Sequence, residues 1–98
     1  MTIIRLSAHA ESQIIGRQIC TLDEVLSAVN RQADKIENKS AWQVKVIVKI
    51  LPVRVALPDG SNGDLVIAAV DPQRQVVKTV MLERRSQVNR RSKSEPYL

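Results

Sequence analysis

The chain has no phenylalanine, and Trp42 and Tyr97 are its only aromatic residues. A core built from it must be aliphatic, and single-strand nucleic-acid binding by base stacking, which needs aromatic platforms, is disfavoured. Cys20 is the single cysteine and His9 the single histidine. No internal disulfide can form, and neither a cysteine-based zinc site nor a histidine-rich metal site can be assembled. No apolar run approaches the ~20 residues of a membrane-spanning helix. Arg5, His9 and Glu11 break the apolar stretch near the start, so a signal peptide is not expected there. Gly16, Gly60 and Gly63 form no phosphate-cradling motif, and there is neither a Gly-x-Ser-x-Gly elbow nor a histidine pair.

What is present suits one small domain. With 98 residues and 11.0 kDa there is room for a single core. A chain of this size buries roughly 65% of its unfolded surface. The 44% hydrophobic content argues against wholesale disorder. Fifteen Lys and Arg against ten Asp and Glu leave a net charge of +5, which suits a polyanionic partner. Three of those five units fall after Leu82, where Arg84, Arg85, Arg90, Arg91 and Lys93 meet only Glu83 and Glu95. Residues 1–85 read as the domain, and residues 86–98 as a basic, disordered tail with little to bury. Such a tail either holds phosphates through Arg90, Arg91 and Lys93 or merely solubilises the chain. A soluble, cytoplasmic protein that engages no membrane is expected.

The pattern along the chain predicts an α+β domain. An N-terminal strand (2–6) and two helices pack on a three- to four-stranded antiparallel sheet. Ser7 caps a first helix that Gly16 is expected to end. Thr21 and Glu24 form a capping box, and Leu22, Val25, Leu26, Val29, Ala33 and Ile36 recur at helical spacing behind it. From Trp42 the period drops to two, with Val44, Val46, Val48 and Ile50 on one face and Gln43, Lys45, Ile47 and Lys49 on the other. Pro52 makes this either one long bent edge strand or two strands. The turn formers of residues 58–63 separate it from strands at 65–70 and 76–82, which are joined by a hairpin loop at 71–75.

Few residues invite chemistry. Asp59 and Asp64 flank a turn, where backbone hydrogen bonding explains them. His9 falls in the first turn of helix one, where the dipole favours the neutral imidazole that a general base needs. The alternative is a histidine that only packs at a helix start. Gln13 lies one turn above it on the same face, and Arg17 extends that stripe only if the helix runs past Gly16. Thr79 is comfortable in any strand, and Lys78 can lift its ammonium to water from an apolar stem. Arg84 and Arg85 are candidate phosphate ligands, or else edge charges that discourage aggregation, and Arg54 is a further candidate phosphate ligand.

The segment from Leu6 to Leu26, with its Ser7-Ala-His9-Ala opening, its Arg17-Gln-Ile19 and the capped helix after it, resembles the opening of small RelE- and BrnT-type toxins. The stretch from Asp64 to Gln87 is similar to the closing hairpin of that group. The resemblance implies a barnase–EndoU–colicin–RelE type of fold and metal-independent cleavage of RNA, with no cofactor. The ribose 2′-OH attacks the adjacent phosphorus while a base removes its proton and an acid protonates the leaving 5′ oxygen. By position His9 supplies the base or acid and Arg17 clamps the phosphate. Thr79 with Arg84 or Arg85 completes the site, and Arg54, Arg85, Arg90, Arg91 and Lys93 bind nucleic acid. The implied partners are RNA, in some cases on the ribosome, and a small antitoxin protein. Two other readings stand beside it. One is a non-catalytic module that binds nucleic acid or protein, and the other is an assembly component that pairs through a sheet edge such as 42–50.

Overall fold

A computed structural model of the chain describes residues 3–86 and 97–98. Its elements run β1 (Arg5–Leu6), α1 (Ala8–Arg17), α2 (Leu22–Arg31), α3 (Ala33–Glu37), β2 (Val44–Ala56), β3 (Asn62–Asp71) and β4 (Val76–Glu83). The fold is α+β. Three helices cover one face of a four-stranded sheet ordered β1-β4-β3-β2. Two antiparallel pairings build most of that sheet, and the short β1 adds to β4 in parallel, so the sheet is mixed. Strand sense is absent from the sequence pattern. It follows from α1, which starts one residue after β1 and lies along β4 with its polar side chains reaching that strand.

Local chemistry explains where the helices stop. The Ser7 hydroxyl accepts from the Ala10 N–H, so α1 starts where its cap is. Gly16 does not end it. The helix runs to Arg17, and Gln18 takes the left-handed conformation at φ 56° with its N–H on the Ile14 carbonyl. The capping box on α2 is complete, with Thr21 Oγ1 accepting from Glu24 N at 3.1 Å and Glu24 Oε1 from Thr21 N at 2.8 Å. The single helix expected through Ile36 is broken at Gln32, whose φ of −103° and ψ of 9° lie off the helical path. Both halves bury most of the expected stripe, Val25 and Val29 from α2 and Ala33 and Ile36 from α3, while Leu22 and Leu26 are half-buried and Ala28 joins the core beside them.

β2 is one long strand that loses its register with β3 between Ile50 and Val55, around Pro52. Proline lacks the N–H a ladder needs, which is tolerable only on an outside strand. β3 is the centre. Leu65 to Val70 are all buried, because this strand has apolar neighbours on both faces. Val66, Ala68 and Val70 face the helices with Val44, Val46, Val77 and Val80. On the opposite face Leu65 and Ile67 pack with Ile47, Met81 and Tyr97. The helices are short, and none is long and apolar enough to cross a membrane.

Candidate functional site

Two surfaces carry the polar chemistry, and the first is the seam between α1 and β4. Beyond the two residues paired with β1, no strand among the described residues pairs with the outer side of β4, so its backbone groups need other partners. The α1 stripe supplies them. Ser7 Oγ donates to the Lys78 carbonyl at 3.2 Å, and Gln13 Oε1 accepts from the Val80 N–H at 2.8 Å. Arg17 Nη1 donates to the Val80 carbonyl at 2.8 Å, so the helix does continue far enough for Arg17 to join Gln13. Gln13 Oε1 also accepts from Thr79 Oγ1 at 2.6 Å.

The expected catalytic residues are distributed along this seam. Arg17 and Thr79 both reach its middle, Arg17 on the Val80 carbonyl and Thr79 on the Gln13 oxygen that also holds the Val80 N–H. The second amine of Arg17, Nη2, meets Asp59 Oδ2 of the β2–β3 loop at 2.8 Å. His9 is exposed on the first turn of α1. It lies about 12 Å from Arg17 along the axis, at 1.5 Å per residue. Arg84 is half-buried just past β4. The strand from Lys78, beside the start of α1, to Arg84 runs about 20 Å at 3.3 Å per residue. The structure thus sets Arg17 on Val80, the residue after Thr79, and places His9 and Arg84 at opposite ends of the seam.

The nucleic-acid candidates occupy the end marked by the β2–β3 loop. Arg54 is exposed where β2 leaves its register, and Arg85 is exposed with its backbone N–H on Asp64 Oδ1 at 3.0 Å. Asp59 and Asp64 both serve turns and backbone, Asp59 by accepting from the Ser61 N–H at 2.9 Å. Arg90, Arg91 and Lys93 lie outside the described residues. A cleft of about 460 Å³ between the end of α1 and the start of α2 includes Cys20, Glu24 and Lys49, and none of the expected catalytic residues lines it. Burial pushes the Cys20 thiol up, with the Glu24 carboxylate adding to the effect. Among the described residues no group of three His, Cys, Asp or Glu side chains is placed to hold a metal ion.

The second surface is the outer edge of β2, the stretch that the assembly reading of the sequence offered as a pairing edge, although none of the site residues expected from the sequence lies at its paired positions. Tyr97 and Leu98 run beside it in parallel. The Leu98 N–H donates to the Lys45 carbonyl and the Ile47 N–H donates to the Leu98 carbonyl, both at 2.8 Å. Two residues expected to belong to the tail are therefore strand-paired. Their side chains split as a strand requires. Leu98 packs with the helix-side core, and Tyr97 joins the opposite cluster of Leu65, Ile67, Ile47 and Met81.

Beneath Tyr97 is a buried ion pair. Lys45 Nζ meets Glu83 Oε1 at 2.8 Å, and both side chains are under 10% exposed (7% and 6%). Tyr97 Oη donates to Glu83 Oε2 at 2.8 Å, and Lys45 Nζ stands 5.4 Å from the tyrosine ring centroid. Burial and the Glu83 carboxylate together raise the Tyr97 phenol above its ordinary range, so it stays a donor. Alternation had put Lys45 on a polar face. The signal against that lay in Ile47, Leu65, Ile67 and Met81, which are apolar at the positions facing away from the helices. A strand apolar on both sides is covered on both sides.

Comparison with known proteins returns no match to a family model, a curated protein or a solved structure. The resemblance to RelE- and BrnT-type toxins therefore rests on its short motifs.

Proposed function

We propose that this protein is a non-catalytic interaction module that receives an extended protein segment on the outer edge of β2. One observation carries the reading: that edge already holds an extended two-residue segment, Tyr97-Leu98, through the backbone of Lys45 and Ile47. Strand addition of this kind draws affinity from main-chain hydrogen bonds and selectivity from the side-chain pockets beside them. The edge continues past the paired residues, with Ile50 56% and Val53 68% exposed. Lys49, Pro52 and Arg54 along the same stretch disfavour pairing with an identical edge, because like charges meet and proline lacks the donor. Of the cations from residue 43 to 58, Lys45 and Lys49 pair with Glu83 and Glu24, and the exposed Arg54 is the one that favours an acidic residue in the partner segment.

A second reading, RNA cleavage, is favoured by the seating of Thr79 on Gln13 and of Arg17, one helical turn on, on the adjacent Val80, with His9 one turn before Gln13. The two are separated by one set of experiments on the full-length chain. Peptides selected from a displayed library of extended sequences should shift the backbone amide signals of residues 45–56 and leave those of the α1–β4 seam in place. RNA incubated with the protein in chelator should stay intact. Cleavage that disappears in His9→Ala, with no peptide acting on β2, contradicts the module reading.

A further inference from the structure

Resting on the interaction reading, we infer that the β2 edge is specific for an extended segment carrying tyrosine followed by a large aliphatic residue. The chain's own Tyr97-Leu98 is the resident competitor for that site. The chemistry is written in how the resident pair is held. Two main-chain hydrogen bonds fix the segment's direction and register against Lys45 and Ile47. The tyrosine position has three demands. Leu65, Ile67, Ile47 and Met81 offer an apolar seat, Glu83 Oε2 accepts one O–H, and the Lys45 ammonium favours an aromatic face. Phenylalanine fills the seat but leaves a buried carboxylate oxygen short of that donor, and an aliphatic side chain loses the ring as well. The next position turns to the helix-side core, where Leu98 packs, and selects an aliphatic side chain.

Among the described residues the contact consists of one paired position and two backbone bonds, whereas β2 and β3 share a ladder of eight paired positions, a difference that suits exchange at this edge. A tethered segment competes at an effective concentration in the millimolar range. An outside segment therefore gains the edge either by binding tightly or when the resident pair is weakened. The protein is closed at this site by default, and a partner opens it.

The test is a titration of a fluorescein-labelled, amidated heptapeptide with the sequence of residues 92–98, followed by anisotropy. Against the full-length Tyr97→Ala variant, saturable binding is expected, at least about tenfold tighter than to the unaltered chain, whose own tyrosine holds the site. A peptide with phenylalanine for tyrosine should bind the variant about tenfold more weakly, reflecting the lost hydrogen bond to a carboxylate. A folded variant that binds the peptide no better than the unaltered chain overturns the proposal. Should Tyr97→Ala fail to fold, amide exchange on the unaltered chain decides instead. The Ile47 and Leu98 amides are expected to exchange much faster than the amides of β3, and equal protection overturns the proposal, since the pair then leaves only on global unfolding. If library-selected peptides act on β2 but tyrosine-aliphatic ones do not, the specificity fails and the interaction reading stands. If neither acts there, both fail.

Discussion

Lys45 and Glu83 illustrate how much rests on single side chains in a sheet with an aliphatic core. Desolvating two opposite charges is costly, and their contact offsets that cost only while both remain. Replacing one partner takes this contact from the other, which stays buried. Lys45→Met is expected to lower the unfolding free energy by about 3–5 kcal/mol, whereas Lys45→Met with Glu83→Leu recovers most of the loss. Denaturant melts of the single and double variants check this, and equal losses in both contradict it. Glu24 makes the opposite case at the surface. Its carboxyl is held below the ordinary value, first by the hydrogen bond from Lys49 and then by the Thr21 N–H. Since the folded-state pKa lies below the unfolded one, the unfolded chain takes up the proton first on acidification. The stability from this group is present above the ordinary value of 4.5 and fades as pH falls from there through the folded value. Glu24→Gln should flatten that part of a plot of denaturation midpoint against pH, and an unchanged acid limb would show that Glu24 is not responsible.

Among the elements, α1 does the work a further strand would otherwise do. Its side chains at Ser7, Gln13 and Arg17 occupy backbone groups of β4 that face away from β3. Gln13 is the most exposed to test, since one oxygen serves both the Val80 N–H and the Thr79 hydroxyl. Gln13→Ala leaves a partly buried backbone donor without its partner and is expected to cost about 1–3 kcal/mol. Gln13→Glu keeps the acceptor and should cost less, so equal effects of the two would contradict the assignment. This seam also explains which elements were legible. Thr21-x-x-Glu24 and the spacing behind it define α2 almost residue by residue, because a capping box is local chemistry. Gly16 misled about the end of α1, because Arg17 is drawn into the helix by a carbonyl sixty-three residues away, a contact no local pattern contains. The break at Gln32 leaves the apolar stripe intact, so periodicity alone runs straight through it.

For the molecule as a whole, the α+β class followed from the switch of period near Trp42, and the position of β2 at the sheet's outside followed from Pro52. The candidate site was less legible. Arginines and a histidine drew attention as chemical residues, yet Arg17 is engaged with Val80 and Asp59, and His9 and Arg84 stand at opposite ends of the seam. Lys45, Glu83 and Tyr97 went unremarked because each looks ordinary in its own segment. They meet only through the curvature of the sheet and the return of the chain to β2, and both are long-range properties. The apolar residues on the outer sheet positions were the trace they left.

The most direct measurement of the central claim is an amide spectrum of isotope-labelled full-length Tyr97→Ala titrated with the unlabelled heptapeptide of residues 92–98. The account predicts progressive shifts at Lys45, Val46 and Ile47 and at the neighbouring β3 positions Ile67 and Ala69, with Gln13, Thr79 and Val80 unmoved. Shifts confined to the α1–β4 seam, or none at saturating peptide, would contradict it.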